Sequence, residues 1–97
     1  MSFENKTVVV TGGAKGIGGA CIEMFHREKA NVVILDVDEQ GAAFANELGE
    51  RALFIKTDVS IEKDVINAVE KIKLRFGDID VLVNNAAIQY FATVTDS

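Results

Sequence analysis

"VVVTGGAKGIGGACIE", Val8 to Glu23, places five of the chain's eight glycines in the eight residues Gly12–Gly19, between a β-branched triplet and a segment of helical character. Backbone this bare fits a turn that something must approach closely, because glycine lacks the Cβ that would keep a partner away. Around this stretch the chain alternates regularly. Four short runs rich in β-branched residues, Lys6–Thr11, Asn31–Asp36, Arg51–Asp58 and Asp78–Asn84, are separated by three helix-like segments. The order is β-α-β-α-β-α-β. The second and fourth runs are nearly all apolar, as expected of strands covered by helices on both faces, so the sheet is predicted to be parallel.

The helices are read from their ends as much as from their periodicity. The first is expected from about Gly16 to Glu28 and the second from just after Asp38, through Ala42, Ala45 and Leu48, to a stop at Gly49. The third follows Ser60 as N-cap and recurs through Ile61, Val65, Ala68, Val69, Ile72 and Phe76. Glu62 and Asp64 lie in its first turn and Gly77 stands just past its end. Together these elements predict a Rossmann-like, doubly wound α/β fold of about four strands and three helices, forming one dinucleotide-binding domain over residues 1–97.

Composition excludes several classes of function. The 97 residues are 48% apolar and 26% charged, without proline or a low-complexity tract, as in an ordinary globular chain. No apolar run approaches the ~20 residues of a membrane span. The N-terminal "MSFENK" lacks the zones of a signal peptide, and a single cysteine permits no intramolecular disulfide, so a cytoplasmic location is expected. The net charge of -5, with both signs interleaved, argues against nucleic acid or an anionic membrane as partner. An anionic ligand must therefore be held by local geometry.

The glycine-rich turn supplies that geometry. At the carboxyl end of a parallel strand the following helix points its free N–H groups and positive dipole end outward, where a diphosphate fits. Gly12, Gly16 and Gly18 are the positions that leave room for it. The Gly-x-x-x-Gly-x-Gly spacing differs from the Gly-x-Gly-x-x-Gly fingerprint and, alone, also suits a turn with no ligand. Asp36 adds the second feature. It ends the second strand eighteen residues after Gly18, near the roughly twenty expected of an acid that accepts from the adenosine ribose hydroxyls of a dinucleotide. Such a carboxylate repels a 2′-phosphate and favours NAD over NADP. Lys15, a cation in the turn, is the opposing signal.

With these residues in view, the chain resembles the short-chain dehydrogenases/reductases. "TGGAKGIG" (Thr11–Gly18) looks like their cofactor loop, which brings Ile17 into the site, and "LDVD" (Leu35–Asp38) resembles the strand end of their NAD-preferring members. "DVS" (Asp58–Ser60) is similar to the pair that meets the adenine, and "NNAAI" (Asn84–Ile88) to their NNAG stretch. The resemblance implies that Asp58 and Val59 border the adenine. It implies that Asn85 and Ala86 line the nicotinamide-side ribose and help hold the central strands. Ala87 stands where the family usually has glycine. It also implies a parent enzyme transferring hydride between the nicotinamide and an alcohol or carbonyl.

The family's catalytic Ser and Tyr-x-x-x-Lys lie beyond the fourth strand, and no residue of this chain takes their place. Tyr90 is followed four residues later by Val94, not lysine, and reads as a loop aromatic. These 97 residues are therefore expected to bind without turnover, as the cofactor-binding portion of such an oxidoreductase. A non-catalytic dinucleotide-binding remnant, or one chain of a split enzyme, remain the alternatives. The implied strand order, 3-2-1-4, leaves the fourth strand and the apolar segment after it open, so a homo-oligomer joined there is expected. Cys21 reads as a buried structural thiol on the face of Ile17, Met24 and Phe25. His26, with no second ligand at metal spacing, reads as a surface residue suited to a helix C-terminus.

Overall fold

The computed structural model describes residues 2–85. Strands β1 (Thr7–Thr11), β2 (Asn31–Asp36), β3 (Ala52–Lys56) and β4 (Val81–Asn84) alternate with helices α1 (Gly16–Arg27), α2 (Gln40–Leu48) and α3 (Glu62–Phe76). All neighbouring strands are parallel, in the order β3-β2-β1-β4. The Rossmann-like doubly wound sheet and its order thus match the sequence-based expectation. Every strand begins at or inside its expected run, because pairing needs a neighbour as well as β-branched side chains.

The sheet divides the interior into two cores. On one face Val8, Val10, Val32 and Ile34 pack with Ile22 of α1 and Ala45 of α2. On the other Val9, Val33, Leu35 and Ile55 pack with Val65, Ala68, Val69 and Ile72 of α3. Strands β1 and β2 feed alternate residues into both cores, so Val8, Val9, Val10 and Val32 to Leu35 are all fully buried. At roughly 1.5–3 kcal/mol for each fully buried Val, Leu or Ile side chain, these two central strands contribute the largest share of apolar burial. They also aim their carboxyl ends at the crevice.

Four expectations are corrected. Ser60 does not cap α3: the N-cap is Ile61, with no side-chain capping bond, and the Ser60 hydroxyl donates to Asp58 Oδ1 at 2.6 Å. Among the described residues, the fourth strand is not covered on both faces. Val81 and Val83 join the core shared with α1 and α2, but on the α3 side of the sheet Leu82 is 38% exposed among the described residues. The face of α1 carrying Ile17 and Met24 is not the inward one, since Gly18, Gly19 and Ile22 are buried instead and Cys21 is only half-buried. Finally, His26 is half-buried. Burial, and then the Arg51 charge, hold its imidazole below its usual pKa.

Candidate cofactor crevice

The crevice opens where β1 and β2 end. After Thr11 the chain turns through Gly12 and Gly16, which take left-handed backbone at φ 65 and 64, and α1 starts at Gly16. Nothing lies within 4 Å of the space a Gly16 Cβ would fill, so its missing side chain leaves open room at the start of α1. Gly18 is needed for a different reason. A Cβ there would overlap the Gly12 carbonyl, because the first turn of α1 folds directly over the loop. No acidic residue stands in the first turn of α1, whereas α3 begins with Glu62 and Asp64. The α1 N-terminus thus keeps its positive end uncompensated by its own side chains.

Asp36 ties the two walls together. Its Oδ2 accepts from the Ala14 N–H at 3.1 Å and its Oδ1 from the Asp38 N–H at 3.0 Å, which joins the end of β2 to the glycine loop. Lys15 is exposed, and its ammonium pairs with Asp38 Oδ2 at 3.3 Å. Asp38 Oδ1 accepts from the Gln40 N–H at 2.9 Å at the start of α2. That bond, assisted by Lys15, holds the Asp38 carboxyl below the usual carboxylate pKa. Ile17 projects into solvent, 77% exposed, beside the loop.

A cleft of about 130 Å³ lies against this loop, lined by Gly12, Leu35, Asp36, Val37, Thr57, Asp58 and Val59. Its walls are apolar at Leu35, Val37 and Val59 and carboxylate at Asp36 and Asp58. Asp58 opens the turn before α3. Its Oδ1 accepts from the Ser60 hydroxyl and N–H, which lowers its pKa, and its own N–H donates to Asp64 Oδ2. On the far side, the Asn85 N–H donates to Thr11 Oγ1 at 2.9 Å and its amide to the Gly12 carbonyl at 3.3 Å, so the end of β4 is fastened to the loop. A wider groove of about 520 Å³ runs between α1 and α2, with Ala20 and Ala43 in its lining and Glu23 and Glu47 as carboxylates. Lys15 is its cationic lining residue, and with Ala14 and Gly16 it brings the start of α1 to the mouth of this groove.

Gly12, Lys15, Gly16, Ile17, Gly18, Asp36, Asp58, Val59 and Asn85 therefore gather at one end of the sheet. Ala86, Ala87 and Tyr90, with the rest of the C-terminal segment, lie outside the described residues. Sequence reasoning passed over Asp38 and Thr11. The only sign of Asp38 was its place at the end of "LDVD", and Thr11 showed itself merely as the residue before the glycines. Among the described residues no group of three His, Cys, Asp or Glu side chains could hold a metal ion, and no helix is long and apolar enough to cross a membrane.

Known proteins match this chain along nearly all of its length. A family profile described as short chain dehydrogenase matches residues 6–97. Tropinone reductase-like 1 of Erythroxylum coca is 46% identical over 87 residues, which are 89% of this chain and 32% of that protein. Sorbitol dehydrogenase of Cereibacter sphaeroides is 39% identical over 97 residues, 99% of this chain and 38% of that protein. A 3-ketoacyl-(acyl-carrier-protein) reductase of Brucella melitensis, solved in complex with NADH, superposes with a TM-score of 0.81 at 38% identity, over 84% of this chain and 34% of that one. The chain spans about a third of the length of the curated relatives it matches. With the family profile matching residues 6–97 and the parallel sheet superposing on a member of that fold, the chain belongs to the short-chain dehydrogenase family.

Proposed function

We propose that this chain is the cofactor-binding part of a nicotinamide-dependent oxidoreductase, and that it holds NAD in preference to NADP at the carboxyl ends of β1 and β2. The observation that carries the reading is the meeting of two features: an α1 N-terminus without a carboxylate in its first turn, and the cleft beside it that contains Asp36. The open room at Gly16 fits a diphosphate on the helix N–H groups. Asp36 accepts from the adenosine ribose hydroxyls, while Asp58 and Val59 border the adenine. Asn85, followed by Ala86 and Ala87, leads toward the nicotinamide-side ribose. When bound, the nicotinamide accepts or donates the hydride exchanged with an alcohol or carbonyl substrate.

The charges in place favour NAD. A 2′-phosphate beside the Asp36 carboxylate meets like-charge repulsion, while Lys15, the cation of the loop, is exposed and already paired with Asp38, so its attraction is divided between two anions. Calorimetric titration with NAD and NADP at one ionic strength tests this. NAD is expected to bind more tightly, Asp36→Ala to narrow the difference about tenfold, equivalent to ~1.4 kcal/mol, and Gly16→Val to abolish binding of both. Equal affinities, or tighter NADP, overturn the preference.

Assembly is the second part of the proposal. The outer edge of β4 has no strand partner among the described residues, and Leu82 is exposed beside it. Unpaired edges with apolar neighbours associate, which supports a homo-oligomer of this chain joined there or through the segment that follows.

A further inference from the structure

Resting on the cofactor reading above, we propose that Asp38 is a specificity-determining residue of the crevice: by pairing with Lys15 it withdraws the one cation of the glycine loop from any 2′-phosphate at Asp36. Lys15 is the natural anchor for that extra phosphate. It adjoins Ala14, whose N–H is bonded to Asp36 Oδ2, so the ribose acceptor and the ammonium-bearing residue are neighbours across the loop, with Lys15 at the adjoining mouth of the α1–α2 groove. The lysine side chain is 73% exposed and free to swing, yet its ammonium lies 3.3 Å from Asp38 Oδ2. The Asp38 side chain is only 26% exposed and is held by the Gln40 N–H, so the pair forms on an acid already fixed at the start of α2. A phosphate arriving at the ribose corner meets two carboxylates and a lysine already paired with one of them.

The pair is solvent-accessible and its energy is small, so its role lies in where it keeps a charge rather than in stabilising the fold. Discrimination against NADP is therefore divided. Asp36 supplies direct repulsion, and Asp38 removes the compensation that Lys15 would otherwise provide. The contribution from Asp38 weakens with salt, as interactions of exposed charges do.

Titration of the chain with NAD and with NADP separates these roles. Asp38→Asn keeps an acceptor for the Gln40 N–H while freeing Lys15, and is expected to lower the Kd ratio of NADP to NAD by about two- to fivefold, the range of an exposed ion pair. Asp38→Glu restores the original ratio, and adding Lys15→Met to Asp38→Asn cancels the gain. In the unaltered background Lys15→Met shifts the ratio less than twofold, because the charge it removes is already engaged; this variant carries the test if Asp38→Asn fails to fold. An unchanged ratio in Asp38→Asn, or a severalfold loss of NADP binding in Lys15→Met alone, overturns the role of Asp38 and leaves the cofactor reading standing. Failure of the unaltered chain to bind either dinucleotide overturns both.

Discussion

His26 shows how a single residue departs from what its position in an element suggests. A helix C-terminus favours a cation, and His26 lies in the last turn of α1, but burial and the neighbouring Arg51 hold its pKa low. Arg51 is fixed there because its Nη1 donates to the carbonyls of Ala30 and His26. A folded-state pKa below the unfolded value of 6.5 means that the unfolded chain binds the proton first as pH falls. The stability contributed by neutral His26 is therefore complete above about pH 6.5 and is lost as pH falls through the lowered folded value. His26 is the only histidine, so thermal melts from pH 7 to 5 are expected to show a decline in Tm that His26→Gln removes. A decline equally steep in His26→Gln would assign it to other groups. The same scale explains what the sequence could and could not disclose. The placement of Gly12, Gly16 and Asp36 at the ends of β1 and β2 was legible because it follows from neighbouring chain and strand ends. Thr11 was not, because its partner Asn85 is 74 residues away, and Asp38 was not, because its ion pair with Lys15 depends on how two loops approach.

Among the elements, α3 was the clearest in the sequence and its start was still misread. Apolar residues at helical spacing marked the buried stripe Val65, Ala68, Val69 and Ile72. The N-cap went to Ile61 instead of Ser60 because Asp58 takes the serine for its own turn, bonding both the Ser60 N–H and hydroxyl. The reach-back is made by Asp64, whose Oδ2 accepts from the Asp58 N–H at 3.0 Å, much as the third residue of a capping box serves the residue before its helix. Asp64→Ala is expected to destabilise the fold by about 1 kcal/mol, in the range of a lost capping interaction. It should also loosen the Asp58 wall of the cleft. Denaturant unfolding reads the first effect, and an unchanged midpoint would assign the bond no net value. The weaker expectation for β4 failed for a reason at this scale as well: an apolar run describes a strand's preference for burial, and the elements packed against it decide whether that burial occurs.

At the scale of the whole molecule, the described residues form a three-layer sandwich with α1 and α2 on one face and α3 on the other. Among the described residues both outer strands, β3 and β4, have one edge without a strand partner, and beside the β4 edge Leu82 is exposed on the α3 side. Sedimentation at ~100 µM, within the concentrations at which exposed edges become association-prone, is expected to give a dimer or larger species. Leu82→Lys is expected to shift it toward monomer, since an edge charge opposes strand addition. A stable monomer of the unaltered chain rules out edge association. The loop, β2 and β4 meet at a single end of this sandwich, and Asp36 is the fixed point between the first two. Two backbone N–H groups already hold its carboxylate, so a ligand that engages it has little side-chain rotamer freedom to freeze, a cost that otherwise runs to about 0.5–1.5 kcal/mol for each ordered side chain. On the proposed cofactor reading, the crevice is a preset gauge: a ribose whose hydroxyls fall at the measured place would find its acceptor waiting, and one displaced by the width of an added group would find an acceptor that does not turn to meet it.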